Sequence, residues 1–299
     1  MIRPVRFGFN EQTAESNAFQ NQEAAALLKD VAQNQALREF DAMVEKLRSL
    51  GVDVIVVDDT PEPHTPDSIF PNNWISFHRD GTICLYPMQA ENRRLERSMD
   101  LINGLEEGFL IDNIVDLTNH ESEGKFLEGT GSMVLDRENR IAYACLSPRT
   151  SEEVLQDFAD RMGYQIAAFR ALDAHGKEIY HTNVVMSVGD RFAVVCLECI
   201  PDRNERELVR NTLEKSGKEV VPITLEQLNH FAGNMLQVVT HGGDSLLVMS
   251  AQAFRSLSND QVSKLQLYAQ LVPCELETIE TNGGGSARCM MAEVFLPEK

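Results

Sequence analysis

Long apolar runs are missing from this sequence: none approaches the roughly 18 residues that a membrane span needs, and the opening Met1-Ile2-Arg3-Pro4-Val5-Arg6 lacks the apolar core of a secretory signal. A soluble, cytoplasmic protein is expected. Cysteine is sparse as well. Six residues (Cys84, Cys145, Cys196, Cys199, Cys274 and Cys289) in a chain of 299 are too few for a disulfide scaffold and read as reduced thiols. Positive charge is in short supply: 27 Lys and Arg stand against 46 Asp and Glu, for a net charge of −19, and no basic cluster rises above that background. A phosphate backbone or an anionic membrane would meet repulsion, so neither nucleic acid nor membrane is an expected partner. There is no paired Cys/His motif, no HExxH run, and no Gly-Lys-Ser/Thr ending to the glycine-rich segment Gly283-Gly284-Gly285. Hence no metal and no other cofactor is expected. What is present, 43% hydrophobic and 24% charged residues, is the balance of an ordinary globular chain.

The strand-like segments are self-similar. Asn73-Trp74-Ile75-Ser76-Phe77, Glu128 to Leu135, His181 to Met186, Asn234 to Val239 and Cys289 to Phe295 each open on a polar or reactive residue and run into apolar ones. The openings are separated by 55, 53, 53 and 55 residues. A Gly/Asp-type turn follows the first four (Arg79-Asp80-Gly81, Asp136 to Asn139, Gly189-Asp190, Gly242-Gly243-Asp244), and a second strand comes after it. Helix starts then recur, with capping-box patterns at Thr150 to Glu153 and Ser258 to Gln261 and a variant from Asp202 to Glu205. Short strands are expected after the helices, at 115–117, 165–168, 219–223 and 275–279.

The unit is strand, strand, helix, strand. A fifth copy is complete only if the strand at Cys289 pairs with Val5 to Gly8. Its helix would carry Leu37, Phe40, Val44 and Leu47 on one face, ahead of a strand at 52–57. The expected fold is therefore an α/β ring of five units, a single domain over 1–299 whose two ends complete one unit together.

Equivalent positions of such a ring face one another at one mouth. Asn73, Glu128, His181, Asn234 and Cys289 would meet there, uniting a thiol, an imidazole and a carboxylate. A thiolate is a strong nucleophile and a nearby imidazole serves as acid and base, so Cys289 and His181 fit catalysis, with Glu128 as their acidic partner. The glycines before Cys289 let the backbone approach a small planar electrophile. Two other motifs carry less. Cys196-Leu197-Glu198-Cys199 has CxxC spacing but falls in an expected strand over 192–200, where positions i and i+3 point to opposite faces, so core packing accounts for it. His241, beside the Gly242-Gly243 turn, is expected at the surface.

These residues resemble the guanidino-group-modifying, or pentein, superfamily of arginine deiminases, dimethylarginine hydrolases, succinylarginine hydrolases and amidinotransferases. Asn282-Gly283-Gly284-Gly285-Ser286-Ala287-Arg288-Cys289-Met290 looks like its nucleophile motif, Leu127-Glu128-Gly129 like its carboxylate motif and Tyr180-His181-Thr182-Asn183 like its histidine motif. Asp67-Ser68-Ile69-Phe70-Pro71-Asn72-Asn73 looks like its substrate-binding segment. The resemblance implies a five-bladed α/β-propeller in which a Cys attacks the guanidino carbon, a His protonates the departing amine and then activates water or a second amine, and a carboxylate holds the substrate nitrogens and orients the His. Those roles fall on Cys289, His181 and Glu128, with Asp67, Asn72, Asn73, Asn183, Asn234, Gly284, Gly285 and Arg288 as substrate contacts.

Asn73 and Asn183 depart from the deiminases, which have Asp at both places. A carboxamide is neutral and donates as well as accepts, which weakens a cationic site and suits a ureido group. Asp67 and Glu128 keep a guanidinium in play, and a shifted register would bring in Asp190 or Asp244 instead. For a substrate carboxylate the candidates are Arg288, Arg93 and Arg94. The expected activity is hydrolysis of a C–N bond in an arginine-derived guanidino or ureido compound of the citrulline or arginine type. The alternatives are an amidinotransferase and a non-catalytic binding protein of the same fold. The sequence leaves room for a homo-oligomer.

Overall fold

The computed structural model describes residues 1–14, 16–17, 19–28 and 31–299. Among them the strands form five small sheets. β1 (Ile2–Arg3) lies parallel to β2 (Val57–Asp58). β3 (Ile75–Phe77) runs antiparallel to β4 (Thr82–Leu85), which is parallel to β5 (Asn113–Asp116). The same pattern of one antiparallel and one parallel pairing recurs in β6 (Met133–Asp136), β7 (Ile141–Cys145) and β8 (Gln165–Phe169). It recurs again in β9 (Met186–Val188), β10 (Phe192–Val195) and β11 (Glu219–Pro222), and in β12 (Leu236–Val239), β13 (Ser245–Ser250) and β14 (Gln270–Cys274). The fold is α/β with mixed sheets.

Three helices, Glu152–Met162, Arg203–Lys215 and Asn259–Gln266, each pack on the last strand of their own unit and lean on the sheet before it. The helix Glu152–Met162 buries Val154, Leu155, Phe158, Ala159 and Met162, and these residues share a core with Cys84, Tyr86 and Val115 of the β3–β5 region. Burying side chains of this size contributes roughly 1.5–3 kcal/mol each, so the helix is held by packing rather than by propensity. Likewise Arg203–Lys215 packs on β8, Asn259–Gln266 on β11 and Ala32–Ser49 on β14. The last of these turns Ala36, Phe40, Met43, Val44 and Leu47 inward, against Val248, Val272 and Cys274. Leu37 is not among its buried residues.

Several local expectations are corrected. The strand expected at 275–279 is β14, at Gln270–Cys274, and Glu277–Gly283 is helical. The segment after Cys289 forms no strand: Cys289 N–H donates to Ser286 O, Met290 to Ala287 O and Met291 to Arg288 O, so these donors are spent in a turn and cannot enter a ladder. Val5 to Gly8 is not a strand either, and the pairing in that region falls to β1 and β2. Cys196 caps and Cys199 ends a helical turn, Leu197–Cys199, rather than sitting in a strand, and both are buried. The capping box at Ser258 forms, and Asp202 caps its helix. The box at Thr150 does not form, because Ser151 is the N-cap and makes no side-chain bond; a box absent from the expectations forms at Thr224 and Gln227. His241 is exposed, as expected.

The first strand of three sheets is preceded by a short helical turn: Pro71–Asn73, Gly129–Ser132 and Thr182–Val185. The repeated opening residues therefore stand on or just before turns at one end of their sheets, where side chains escape the ladder.

Candidate active site

Cys289, His181, Asp67, Asn73, Gly284 and Gly285 line one narrow cavity. The glycines are required there. Gly284 has φ 63°, a left-handed conformation that closes the helix Glu277–Gly283, and a Cβ on Gly285 would lie 2.9 Å from the Phe70 ring and 3.3 Å from Cys289 Cβ. Gly129, with φ 47°, plays a similar part on the facing turn, since a Cβ there would lie 2.9 Å from Asn73 O.

His181 Nε2 lies 2.8 Å from Glu128 Oε2, and both residues are buried. Glu128 also receives Gln89 N–H at 3.0 Å and faces Arg149 Nη1 at 3.5 Å. Burial alone would raise the Glu128 carboxyl, but the Arg149 guanidinium and the His181 hydrogen bond outweigh it and hold the group well below the usual carboxylate range. Burial likewise lowers His181 to about 4, against the pull of Glu128. An ionised Glu128 can only accept, so a neutral His181 carries its proton on Nε2 and keeps its basic lone pair on Nδ1.

Cys289 Sγ sits between two carboxamides, with Asn234 Nδ2 at 3.2 Å and Asn183 Nδ2 at 3.3 Å. Asn73 Oδ1 accepts from Arg93 Nη1 at 2.9 Å, while its Nδ2 is buried with no partner. Asp67 accepts from Asn10 Nδ2 at 2.7 Å through Oδ2, and its Oδ1 has no partner. Burial raises the Asp67 carboxyl despite Arg93 and Asn10. Asn73, His181 and Cys289, scattered along the chain, thus line one cavity, with Glu128 hydrogen-bonded to His181 and Asn234 to Cys289. Asp190 and Asp244 are exposed and are not among the cavity-lining residues.

Four expected substrate contacts are not among the lining residues: Asn183 and Asn234 reach Cys289 Sγ instead, and the other two lie elsewhere. Arg288 donates to Met291 O at 2.8 Å and to Glu293 at 3.0 Å, so its guanidinium is turned away from the cavity. Asn72 is fully buried against Thr130, 3.2 Å away, and supports the turn rather than lining the space. Of the arginines weighed for a carboxylate, Arg94 is held by Met88 O and Gln89 O, and Arg93 lines the cavity. A second lining arginine, Arg149, was not foreseen. It stacks over Tyr180, 4.7 Å to the ring centroid, and binds Ser16 Oγ and Thr13 O. No motif marks it: it stands in the turn Ser147-Pro148-Arg149-Thr150, and only the fold aims it. The N-terminal contacts, Asn10 on Asp67 and Asn17 on Gly283 O, carry no sequence signal either.

A model of the family described as N,N-dimethylarginine dimethylhydrolase, eukaryotic, matches residues 3–296. The chain belongs to that family. With it, the chain falls in the pentein, guanidino-modifying superfamily. Among solved structures, unliganded AgrE is similar with a TM-score of 0.77 at 17% identity, over 100% of this chain and 39% of AgrE. The N-terminal domain of ArgZ, an arginine dihydrolase from cyanobacteria, bound to its substrate, gives 0.74 at 16% identity over 99% of this chain and 98% of that domain. A dimethylarginine dimethylaminohydrolase adduct with S-methyl-L-thiocitrulline gives 0.64 at 14% identity, over 97% and 96% of the two chains. This chain spans only 40% of full-length ArgZ. At such identities the likeness to these dimethylarginine and arginine hydrolases is one of fold. A comparison with curated protein sequences finds no match. Among the described residues, no cluster of three or more His, Cys, Asp or Glu could hold a metal ion, and no helix is long and apolar enough to cross a membrane.

The loop that carries the nucleophile motif rests on a buried acid. Glu280 Oε1 accepts from Ser286 Oγ at 2.5 Å, its other oxygen is held by Gln252, and burial pushes the carboxyl up from 4.5 to about 7. A folded value above the unfolded one means that this group's stabilisation is complete below about pH 4.5 and is lost as pH rises through 7. Glu280→Gln is therefore expected to flatten the loss of stability between pH 5 and pH 8 by on the order of 3 kcal/mol, read from urea midpoints of both proteins. Parallel curves for wild type and variant would contradict it.

Proposed function

We propose that this chain is a cofactor-independent cysteine hydrolase acting on the ureido group of a citrulline-type amino acid. Cys289 Sγ attacks the ureido carbon, forming a C–S bond, and the proton it gives up is taken by the free Nδ1 of His181. A C–N bond breaks as His181 passes a proton to the leaving nitrogen. His181 then takes a proton from water, whose oxygen adds to the same carbon and expels Sγ. Glu128 holds the imidazole and compensates its transient charge. His181 returns its proton to Sγ, and the carbamic acid released breaks its remaining C–N bond to give carbon dioxide, so that the net change is citrulline plus water to ornithine, carbon dioxide and ammonia.

The orientation of Asn73 carries the choice of substrate. A guanidinium has no acceptor, so the atom of Asn73 that faces Arg93 must be Oδ1, and Nδ2 is left as a buried donor without a partner. A ureido carbonyl oxygen satisfies such a donor. A guanidinium offers only further N–H groups and would leave it orphaned. Arg93 and Arg149 supply positive charge for the carboxylate of an amino acid, and Asp67 Oδ1 is an acceptor for its ammonium. One observation favours an arginine-type substrate instead: that same free Asp67 oxygen would also accept a guanidinium N–H.

The five sheets, we further propose, are blades of a five-bladed α/β-propeller forming one domain over 1–299. The order in which three helices lean on the preceding sheet supports this, as do the contact of Ala32–Ser49 with β14 and the packing of C-terminal Leu296 with Trp74 and Ile75 at β3. The deciding experiment is mass-spectrometric product analysis after incubation with citrulline, arginine, agmatine, dimethylarginine and N-acylated arginine, each separately. Ornithine from citrulline is expected. Citrulline from arginine or dimethylarginine would replace the ureido assignment, and no turnover of any would point to a transferase or a binding protein.

A further inference from the structure

The surroundings of Sγ differ from those of a thiol paired with an imidazolium. His181 is engaged through Nε2 with Glu128 and is neutral, whereas Sγ faces the NH₂ groups of two buried carboxamides, 3.2 and 3.3 Å away. For Asn234 the direction of donation is fixed. Its Oδ1 accepts the Arg288 backbone N–H at 3.0 Å, and a backbone N–H can only donate, so Nδ2 must point the other way. There it donates to Asn183 O at 2.9 Å and to Sγ. Asn234 is fully buried, and Phe231, held at φ 59° one turn earlier, receives the Asn234 N–H at 2.8 Å. The side chain thus has one orientation, and in it the sulfur is a hydrogen-bond acceptor.

From this geometry we infer that Asn234 is a positioning residue for the nucleophile: it holds Sγ as an acceptor, so that Cys289 reacts as a thiolate supported by neutral carboxamide donors and not by the His181 imidazolium. Asn183 adds the second donor. The inference deepens the hydrolase proposed above and rests on Cys289 as its nucleophile. It assigns Asn234 to the enzyme's own sulfur rather than to the substrate.

The test is the rate at which iodoacetamide alkylates Cys289 near neutral pH, followed by peptide mass spectrometry so that the other five cysteines do not interfere. Asn234→Asp is the informative variant. Its carboxylate still accepts the Arg288 N–H and so keeps the backbone in place, but it offers Sγ no donor. Losing a hydrogen bond to a charged group predicts alkylation slower by about tenfold or more in Asn234→Asp and in Asn234→Ala. His181→Asn is expected to alkylate within about twofold of wild type, because the neutral imidazole supplies no charge to the sulfur.

Alkylation of both Asn234 variants at the wild-type rate, or an equal loss in His181→Asn, would overturn the inference. If neither Asn234 variant folds, Asn183→Ala carries the same expectation and the same refutation. The assay needs no substrate. Wild type that turns over nothing while these alkylation rates hold would sink the hydrolase and leave the sulfur environment as inferred.

Discussion

Replacing Cys289 with alanine is expected to lower kcat for ureido hydrolysis by about four orders of magnitude or more, since removing the nucleophile of a covalent mechanism leaves only the binding and electrostatic contributions. No other thiol can stand in. Cys84, Cys145, Cys196, Cys199 and Cys274 are all buried outside the cavity, and burial pushes Cys84 and Cys145 up to about 12 and Cys274 to about 11. The substitution removes one sulfur from a small buried space, so the melting temperature should move by only a few degrees. Ornithine release from citrulline, followed against a matched blank, measures the loss. A variant retaining even one hundredth of wild-type kcat would show that the covalent route is wrong.

Asn73→Asp should reverse the preference of the site. The new carboxylate keeps one oxygen on Arg93 Nη1, now 2.9 Å from Asn73 Oδ1, and presents the other to the space that Nδ2 faces. A donor matched to a carbonyl oxygen becomes an acceptor that repels it. Sites built around a substrate's hydrogen bonds reject mismatched analogues strongly, so kcat/KM for citrulline is expected to fall by about a thousandfold, with the ratio of arginine to citrulline turnover rising in step. Arg93 is buried beside Glu96 and Asp67, so a third carboxylate adds repulsion there as well as attraction, and some loss of stability should accompany the switch. Steady-state kinetics of both proteins on both substrates give the answer. An unchanged ratio would mean that Asn73 does not read the reacting group.

The repeat was legible in the sequence because four units meet the same demand: the first strand of each three-stranded sheet must turn an apolar face to its neighbours, and the opening residue stands just ahead of that strand. Near-equal spacing of Asn73, Glu128, His181 and Asn234 follows from that demand, Cys289 keeps the spacing although no strand follows it, and the five are bonded in three separate groups, His181 with Glu128, Cys289 with Asn234 and Asn73 with Arg93. Helix starts were legible where a side chain can reach its own N3 backbone, as at Ser258 and Asp202. The same local logic failed at Thr150 and placed the last outer strand too late, because short apolar runs leave strand and helix undecided until packing chooses.

What only the tertiary structure decided was direction. Arg288 adjoins the nucleophile in sequence yet turns toward Glu293, while Arg149, in an unmarked turn, reaches Glu128. Arg93 imposes the orientation of Asn73 from 20 residues away, and Arg288's own backbone N–H imposes that of Asn234 from 54 residues away. Residue types and their spacing are properties of one chain segment, so the sequence alone determined which chemical groups could meet. Which atom of each faces the reacting carbon depends on donors and acceptors brought from distant segments, and that only the folded chain sets.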